Sequence, residues 1–324
     1  MRTFTHFNAT SVEEAVALLR RYQGKAKLIA GGTDILGKMK DRILPDYPEA
    51  LINLKTIPGL DAIQEEEDIL RIGPLAILED IAHHKTVKTR YGALAGAARR
   101  TASPHLREMG TIGGNICQDI RCWYYRNPEN RFPCLRKGGG RCYALKGDTR
   151  YHSIFGGSVE EGCIAVHPSD TAPALIALGA RIKTSRRTIR AEDFFQVEVS
   201  RTTVLDHDEI VTEIQVPKPS YGTKSAFFKF ALRKSIDFPI VNCAAMISCS
   251  KGQVERARIC LNAVYVKPYR ALSAEDALIG KEIKEDSAET AGQAAVAEAT
   301  PLSDNGYMVQ VAKTLVKRAV LACA

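Results

Sequence analysis

The sequence predicts an α+β protein of two domains, and three observations support this fold class. The chain has 324 residues, of which 45% are hydrophobic and 25% charged, a composition typical of globular domains. Short apolar runs alternate with helical patterns as far as Pro217-Lys218-Pro219, a proline-rich break that suits a domain boundary. Three alternating runs follow, and then three helical patterns. We therefore expect domains at about 1–217 and 218–324, the first divided into subdomains at about 1–55 and 56–217.

The first subdomain begins with a capped helix and leads to a glycine turn. Thr10 and Ser11, each followed three residues later by a glutamate, fit a capping box before an amphipathic stretch. An apolar run at 27–30 predicts a buried strand that enters Gly31-Gly32-Thr33-Asp34, and a helix over 35–40 follows. Such a turn lets backbone N–H groups approach a phosphate at the start of a helix. The signal is weak by itself, because paired glycines are more often a simple tight turn and the Rossmann and P-loop spacings are absent.

A second glycine turn, Gly110-Thr111-Ile112-Gly113-Gly114-Asn115-Ile116, strengthens this interpretation. Before it, the sequence predicts a strand at 52–54, a hairpin over 60–73 and one helix over 78–99. Two phosphate-compatible turns predict a diphosphate-bearing cofactor held between them by backbone amides, with Thr33, Thr111 and Asn115 adding side-chain hydrogen bonds. Further on, Ser169-Asp170 predicts the cap of a helix over 171–178.

A cysteine-rich insert over 117–163 lies between these features. It contains Cys117, Cys122, Cys134, Cys142 and Cys163, five of the nine cysteines, and too few apolar residues for a core of its own. Thiolates select zinc, copper(I) or iron–sulfur clusters, so a bound metal could order the segment. No Cys-x-x-Cys pair of a zinc site is present, and intervals of eleven, seven and twenty residues after Cys122 do not match compact ferredoxin runs either. Spacing alone leaves the metal open and leaves unliganded cysteines as an alternative.

The insert also carries most of the positive charge. Between positions 121 and 150, eight Lys or Arg residues face two acidic ones, a net +6 of the total +8. Nearby cations would offset thiolates and a cluster, and a basic surface could steer an acidic redox partner. The alternative is that these charges form an ordinary solvent-exposed loop surface. A nucleic-acid-binding module is the competing class, since Trp123, Tyr124, Tyr125 and Phe132 could stack on bases, but the two glycine turns would then have no purpose.

The second domain and the compartment follow from simpler patterns. Runs at 224–233, 240–250 and 253–264 predict a three-stranded antiparallel sheet, and helices are expected at 273–279, 287–299 and 307–322. Cys243, Cys249, Cys260 and Cys323 lie in apolar surroundings and are interpreted as buried small hydrophobes. No apolar run is long enough to span a bilayer, and the first ten residues lack a signal-peptide pattern, so we expect a cytoplasmic protein that binds neither membrane nor nucleic acid.

These motifs resemble, in one order along essentially the whole chain, the flavin-binding medium subunit of the xanthine oxidase family of molybdenum hydroxylases. Residues 27–35 and 111–116 look like its two FAD diphosphate loops, and Ser169-Asp170, Phe228-Lys229, Arg233 and Asp237 lie where its pattern expects them. The resemblance implies a two-subdomain FAD-binding domain with a C-terminal antiparallel sheet and helices. The implied FAD-binding residues are Leu28, Ile29, Ala30, Gly31, Gly32, Thr33, Asp34, Ile35, Thr111, Gly114, Asn115, Ser169, Asp170 and Lys229.

The insert departs from ordinary members and is similar to a smaller branch, 4-hydroxybenzoyl-CoA reductase and certain bacterial aldehyde oxidoreductases. In that branch it carries a four-iron four-sulfur (4Fe-4S) cluster, and position then implies Cys122, Cys134, Cys142 and Cys163 as ligands, with Cys117 left over. The implied partners are a large molybdopterin subunit, a small subunit with two 2Fe-2S clusters and a ferredoxin-like electron donor, arranged as a dimer of heterotrimers. The sequence is expected to be the electron-transfer subunit of the reductase, with the aldehyde oxidoreductase and its outward electron flow as the alternative.

Overall fold

The computed structural model describes residues 1–157, 162–199 and 201–324. Positions 158–161 of the predicted insert lie outside the described residues. The N-terminal subdomain is a parallel three-stranded sheet in the order β1-β3-β2 with two helices. Its elements are β1 (Thr5–Asn8), α1 (Val12–Arg21), β2 (Ala26–Ile29), α2 (Ile35–Lys40) and β3 (Ala50–Asn53). The carboxyl end of β2 therefore delivers the first glycine turn to one edge of a parallel sheet, where ligands of such sheets bind.

The predicted helix start at Ser11 is confirmed, and the capping box is half formed. The Ser11 hydroxyl accepts a hydrogen bond from the Glu14 N–H at 3.1 Å, and the Glu14 carboxylate accepts one from the Thr10 N–H at 2.7 Å. Ser11 therefore caps α1, whereas Glu14 bonds the N–H of Thr10, the residue before the cap, and not that of Ser11. Ala15 and Leu19 then bury the inner face of α1 against Ala50 and Ile52 of β3. Strand β1 was not predicted, because four residues between polar neighbours give almost no apolar alternation.

The second subdomain is a five-stranded antiparallel sheet in the order β4-β5-β8-β6-β7, accompanied by short helices. The strands are β4 (Ile63–Glu65), β5 (Ile69–Ile72), β6 (Arg181–Thr184), β7 (Thr188–Arg190) and β8 (Val211–Pro217). The helices are α3 (Leu78–His83), α4 (Lys85–Arg90), α5 (Gly92–Arg100), α6 (Pro104–Arg107), α7 (Ile112–Ile116) and α8 (Thr171–Ala177). Strands β4 and β5 form the predicted hairpin.

The single helix expected over 78–99 is wrong, since α3, α4 and α5 occupy that span. The backbone leaves the helical region at His84 (φ −59, ψ 126) and again at Tyr91 (φ −124, ψ 53). Thr86, Val87 and Thr89 are β-branched, and Gly92 follows the second break, so local helix propensity is low where tertiary packing redirects the chain.

The C-terminal domain is an antiparallel sheet in the order β12-β11-β10-β9, with α9, α10 and α11. Its elements are β9 (Thr223–Phe230), β10 (Val241–Ser250), β11 (Gln253–Asn262), β12 (Tyr269–Arg270), α9 (Leu272–Asp276), α10 (Glu285–Ala295) and α11 (Tyr307–Leu321). The expected three strands are present, and β12 adds a fourth that is too short to read from sequence. Cys243, Cys260 and Cys323 are buried as expected, whereas Cys249 is only half-buried.

The insert has little regular structure and is held by its surroundings. Its described part contains three 3-10 turns, Pro128–Asn130, Leu135–Lys137 and Ala144–Lys146. One small apolar cluster buries Ile120, Tyr125, Cys134, Cys163 and Ala165 together with Val266 of the C-terminal domain. The Asn305 amide donates to the carbonyls of His152 and Ser153, at 3.0 Å each, and so fastens the end of the insert to the loop before α11.

Within the described residues, no helix is both long and apolar enough to cross a bilayer.

Candidate functional site

The first glycine turn exposes a row of backbone donors. Across the described chain, the N–H groups from Gly31 to Ile35 find no protein acceptor. Gly32 has φ +73, a left-handed conformation that favours glycine, and the Thr33 side chain is exposed. Successive free N–H groups at the start of a helix form an anion-binding concavity. The turn therefore fits the diphosphate of a flavin nucleotide.

The second glycine turn packs against the first. A Cβ atom on Gly31 would lie 1.9 Å from the Met109 carbonyl oxygen, so the two backbones touch where only glycine fits. The donors of the second turn are already in use: Gly113 N–H donates to the Pro74 carbonyl at 2.8 Å, and Gly114 N–H donates to the Thr111 hydroxyl at 3.1 Å. The second turn thus positions the first, and FAD contacts at Thr111 and Gly114 stay a prediction.

Asn115 joins the entrance of the insert to its exit. Its side-chain oxygen accepts hydrogen bonds from the hydroxyls of Ser169 at 2.6 Å and Thr171 at 2.7 Å. Ser169 also accepts from the Ala172 N–H at 3.0 Å and so caps α8. The chain therefore leaves and re-enters the fold at one point between Asn115 and Ser169, which are 54 positions apart.

Asp170 and Lys229 form a buried ion pair beneath this junction. Lys229 Nζ lies 2.7 Å from Asp170 Oδ2, each side chain is 4% exposed, and the Asn242 amide donates to Asp170 Oδ1 at 2.7 Å. Burial raises the pKa of Asp170, against the attraction of Lys229. Asp170 makes no side-chain cap to α8, so that part of the predicted cap is wrong, and Lys229 is buried in its strand.

The four cysteines assigned as ligands line one cavity, together with Ile120, Tyr124, Tyr125, Leu135, Arg136, Tyr143, Ala144, Ile164 and Ala165. The cavity itself is small, with a volume of about 20 Å³. Cys117 is exposed and is not on this lining. The structure therefore brings Cys122, Cys134, Cys142 and Cys163 together across 42 residues of chain and leaves Cys117 outside.

No described group of three or more His, Cys, Asp or Glu side chains converges closely enough to hold a single metal ion. A tetrahedral zinc site needs four ligands about 2.0–2.3 Å from one point. The four thiols instead line one small cavity whose other walls are largely apolar and aromatic. Four cysteines are a ligand set that iron–sulfur clusters use. Burial raises the pKa of Cys122 to about 12 and also raises that of Cys134, so metal uptake there would release protons.

Nitrogen donors surround the same cysteines. Arg136 Nε donates to Cys163 Sγ at 3.1 Å, and His152 Nε2 lies 3.2 Å from Cys122 Sγ. Burial lowers the pKa of His152 to about 4, so the neutral ring can donate one N–H to that sulfur. Lys137 is 8% exposed, and its Nζ has no hydrogen-bond partner among the described residues. Such a setting fits thiolates that carry negative charge.

A network of charges connects the first glycine turn to the cysteine cavity. Asp34 accepts from Arg126 Nη1 at 2.6 Å and from the Asp119 N–H at 3.1 Å. Asp119 in turn accepts from Lys38 Nζ at 3.0 Å and from the hydroxyl of Tyr125, whose ring lines the cavity. Burial alone would raise the pKa of Asp119, but Lys38 and Arg126 hold it well below its usual range. We call this set of five residues the brace.

The brace explains Asp34 and includes residues that sequence reasoning missed. Both carboxylate oxygens of Asp34 are engaged by the insert, so its expected contact with FAD stays a prediction. Lys38, Asp119 and Arg126 went unnoticed because each looks like an ordinary surface charge in the sequence. The only signal was their placement, directly after the first turn and directly inside the insert.

Comparison with known proteins agrees with this geometry. Residues 2–219 match a family described as the FAD binding domain in molybdopterin dehydrogenase, and residues 226–323 match the CO dehydrogenase flavoprotein C-terminal domain. The chain belongs to the flavoprotein family of the molybdenum hydroxylases. It is therefore an FAD-binding oxidoreductase subunit, with the FAD-binding domain preceding a C-terminal domain of antiparallel sheet and helices, as the resemblance implied.

Individual relatives of this flavoprotein cover nearly its whole length. It is 33% identical over 323 residues to the aldehyde oxidoreductase FAD-binding subunit PaoB of Escherichia coli, covering 97% of this chain and 96% of the relative. It is 30% identical to the carbon monoxide dehydrogenase medium chain of Hydrogenophaga pseudoflava, covering 98% and 96%. A solved structure of carbon monoxide dehydrogenase from that organism aligns with a TM-score of 0.78 over 99% of this chain and 97% of that chain.

Proposed function

We propose that this flavoprotein is an electron-transfer subunit that holds a 4Fe-4S cluster on Cys122, Cys134, Cys142 and Cys163 beside its FAD. One observation carries the proposal: four cysteines far apart in sequence line one cavity without converging on a single-ion site. A cluster needs four thiolates spread around a body of several atoms, whereas zinc needs them around one. The names of the relatives mention FAD and no cluster, so the cluster rests on the cavity of this chain.

The surroundings of the cavity support the same assignment. The N–H groups of Arg136 and His152 point at ligand sulfurs, and Lys137 places a buried ammonium nearby. Hydrogen bonds to sulfur and a largely apolar wall are the means by which proteins hold and tune such clusters. Neutral thiol packing would require none of these donors.

The brace and the Asn115 junction support a role in electron transfer to the flavin. The brace fixes the insert to the turn that fits the flavin diphosphate, and Asn115 fixes its entrance to its exit. FAD exchanges one or two electrons, and a cluster exchanges one at a time, so together they link a one-electron carrier to partner subunits. The two groups would then be held by one connected set of residues, the brace and Asn115.

The specific reaction we propose is the reductive dehydroxylation of 4-hydroxybenzoyl-CoA to benzoyl-CoA, in the cytoplasm, with electrons from a ferredoxin-like donor. The proposed complex adds a large molybdopterin subunit and a small subunit with two 2Fe-2S clusters, as a dimer of heterotrimers. The net charge of +6 between positions 121 and 150 suits an acidic donor. A molybdenum aldehyde oxidoreductase with outward electron flow is the second candidate, favoured by the 33% identity to PaoB.

The cluster is tested by iron, sulfide and flavin analysis of anaerobically purified protein, with electron paramagnetic resonance (EPR) of the reduced form. We expect four irons and four sulfides per FAD. Cys142→Ser should lose most of the iron, while Cys117→Ser, a cysteine outside the cavity, should keep it. Equal iron loss in both variants, or wild-type protein without iron, contradicts the assignment.

The reaction is tested on the reconstituted complex. Reduced ferredoxin or viologen with 4-hydroxybenzoyl-CoA should yield benzoyl-CoA. Turnover of aromatic aldehydes without dehydroxylation would exclude the reductase and leave the aldehyde oxidoreductase.

A further inference from the structure

Lys137 is a buried cation with no hydrogen-bond partner among the described residues. The residue is 8% exposed, and Nζ makes no hydrogen bond to that part of the chain. The Tyr125 ring lies nearby, with its centroid 5.5 Å from Nζ. An unpaired buried ammonium destabilises a fold, so its presence indicates a negative group that completes the site.

The local backbone holds Lys137 next to a predicted ligand. Lys137 N–H donates to the Cys134 carbonyl at 2.8 Å, and Gly139 N–H donates to the same oxygen at 3.0 Å. Gly138, between them, takes the left-handed conformation with φ 79 that ends the turn. These two backbone hydrogen bonds hold the turn that carries Lys137 in place.

Lys137 lies near the cavity but is not one of its lining residues. Tyr125, whose ring lies beside Nζ, is on the lining. Lys137 is thus placed to act through its electric field, which extends far in a medium from which water is excluded. Arg136, its neighbour, makes the direct contact to Cys163 instead.

We propose that Lys137 is the counter-charge of the cluster and raises its reduction potential. This inference rests on the proposed function. When the external one-electron carrier is oxidised, one electron enters the site, no bond forms or breaks, and the site becomes more negative by one charge. The fixed ammonium favours that more negative state over the oxidised one. It also offsets the charge of four thiolates, and so favours cluster-loaded over cluster-free protein.

The test compares two lysines of the insert that differ in burial. Lys137→Met removes the buried charge, and Lys146→Met removes an exposed one from the same segment. In EPR-monitored redox titrations of the loaded protein, we expect Lys137→Met to lower the one-electron equilibrium constant about tenfold, a shift of about 59 mV to more negative potential. Lys146→Met should leave the potential close to that of wild type. Equal potentials for wild type and Lys137→Met, or equal shifts for both variants, overturn the proposal.

A second measurement applies even if Lys137→Met fails to retain a cluster. Because the ammonium is unpaired without the cluster, Lys137→Met should raise the melting temperature of cluster-free protein and lower that of loaded protein relative to wild type. A purely structural lysine would lower both. A lower melting temperature of the cluster-free variant therefore contradicts the proposal, whereas wild-type protein that takes up no iron contradicts the proposed function instead.

Discussion

The glycine-turn region and the cysteine cavity are built by different means. Backbone meets backbone at Gly31 of the first turn, and the Asn242 amide donates to the buried Asp170–Lys229 pair. The charges of that pair are matched within the protein. In the insert, four thiols line a small cavity, and the nearby Lys137 ammonium has no hydrogen-bond partner among the described residues. The flavin side therefore pairs its buried charges within the protein, whereas the insert leaves one buried cation unpaired.

The largest expected effect is at the buried ion pair. Lys229→Met leaves the Asp170 carboxylate buried without its cation, which typically costs about 3–5 kcal/mol. We expect that loss in the free energy of unfolding of FAD-stripped protein, measured by denaturant titration. Lys183→Met, at an exposed lysine of β6, is the matched control and should change stability by less than about 0.5 kcal/mol. A similar small change in both variants would mean that the flavin side does not depend on this pairing of buried charges.

The contact between the two turns ranks next. Gly31→Ala places a methyl group where the Met109 carbonyl oxygen would be 1.9 Å away, and both are backbone-bound, so we expect a loss of about 3 kcal/mol. FAD occupancy after purification should fall as well. Gly37→Ala makes the same change in α2, where nothing lies within 4 Å, and should be neutral or stabilising by up to about 1 kcal/mol. Wild-type FAD occupancy in Gly31→Ala would refute the close approach.

The brace tests how the two regions are coupled. Asp119→Asn removes the carboxylate that Lys38 and Tyr125 share, at a site partly shielded from water. It should lower the free energy of unfolding by about 2 kcal/mol. It should also increase tryptic cleavage of the insert in native protein. Asp148→Asn breaks only the exposed pair with Arg150 and should cost less than about 1 kcal/mol. Equal cleavage in the two variants would argue that the insert is held elsewhere.

The smallest expected effect depends on pH and lies at the exit of the insert. Burial lowers the pKa of His167 from its ordinary 6.5 to about 3, so the unfolded chain binds one more proton between these values. The free energy of unfolding should therefore fall as the pH drops below about 6.5, by up to about 1.4 kcal/mol per unit from this group. His167→Gln should reduce that slope between pH 7 and pH 5, while His105→Gln, at an exposed ring, should not. An unchanged slope in His167→Gln would assign the pH dependence to other groups.

Local sequence patterns predicted the features that are set by neighbouring residues. The glycine turns, the Ser11 cap of α1 and the hairpin depend on residues close in sequence, and the structure places them as expected. The single helix over 78–99 failed because tertiary packing breaks it at His84 and Tyr91. Strands β1 and β12 were missed because they are too short to show a period.

The residues of the candidate site also divide into those that the sequence indicates and those that only folding brings together. Residue types alone indicated which cysteines could act together, and resemblance to a family selected four of them. Hydrogen-bond partners that lie far apart in the sequence could not be predicted. The sequence does not show whether a charged residue is exposed to solvent or belongs to the brace. Lys38, Asp119 and Arg126 became functional candidates only when folding brought them together.

Sequence patterns predict the two domains and the glycine turns, and composition shows a basic insert too poor in apolar residues to form a large core. Folding alone reveals that four thiols share one cavity, that Cys117 lies outside it and that Lys137 is buried with no hydrogen-bond partner among the described residues. The reason is physical: turn geometry is set by neighbouring residues, whereas burial and charge pairing depend on which distant segments exclude water together.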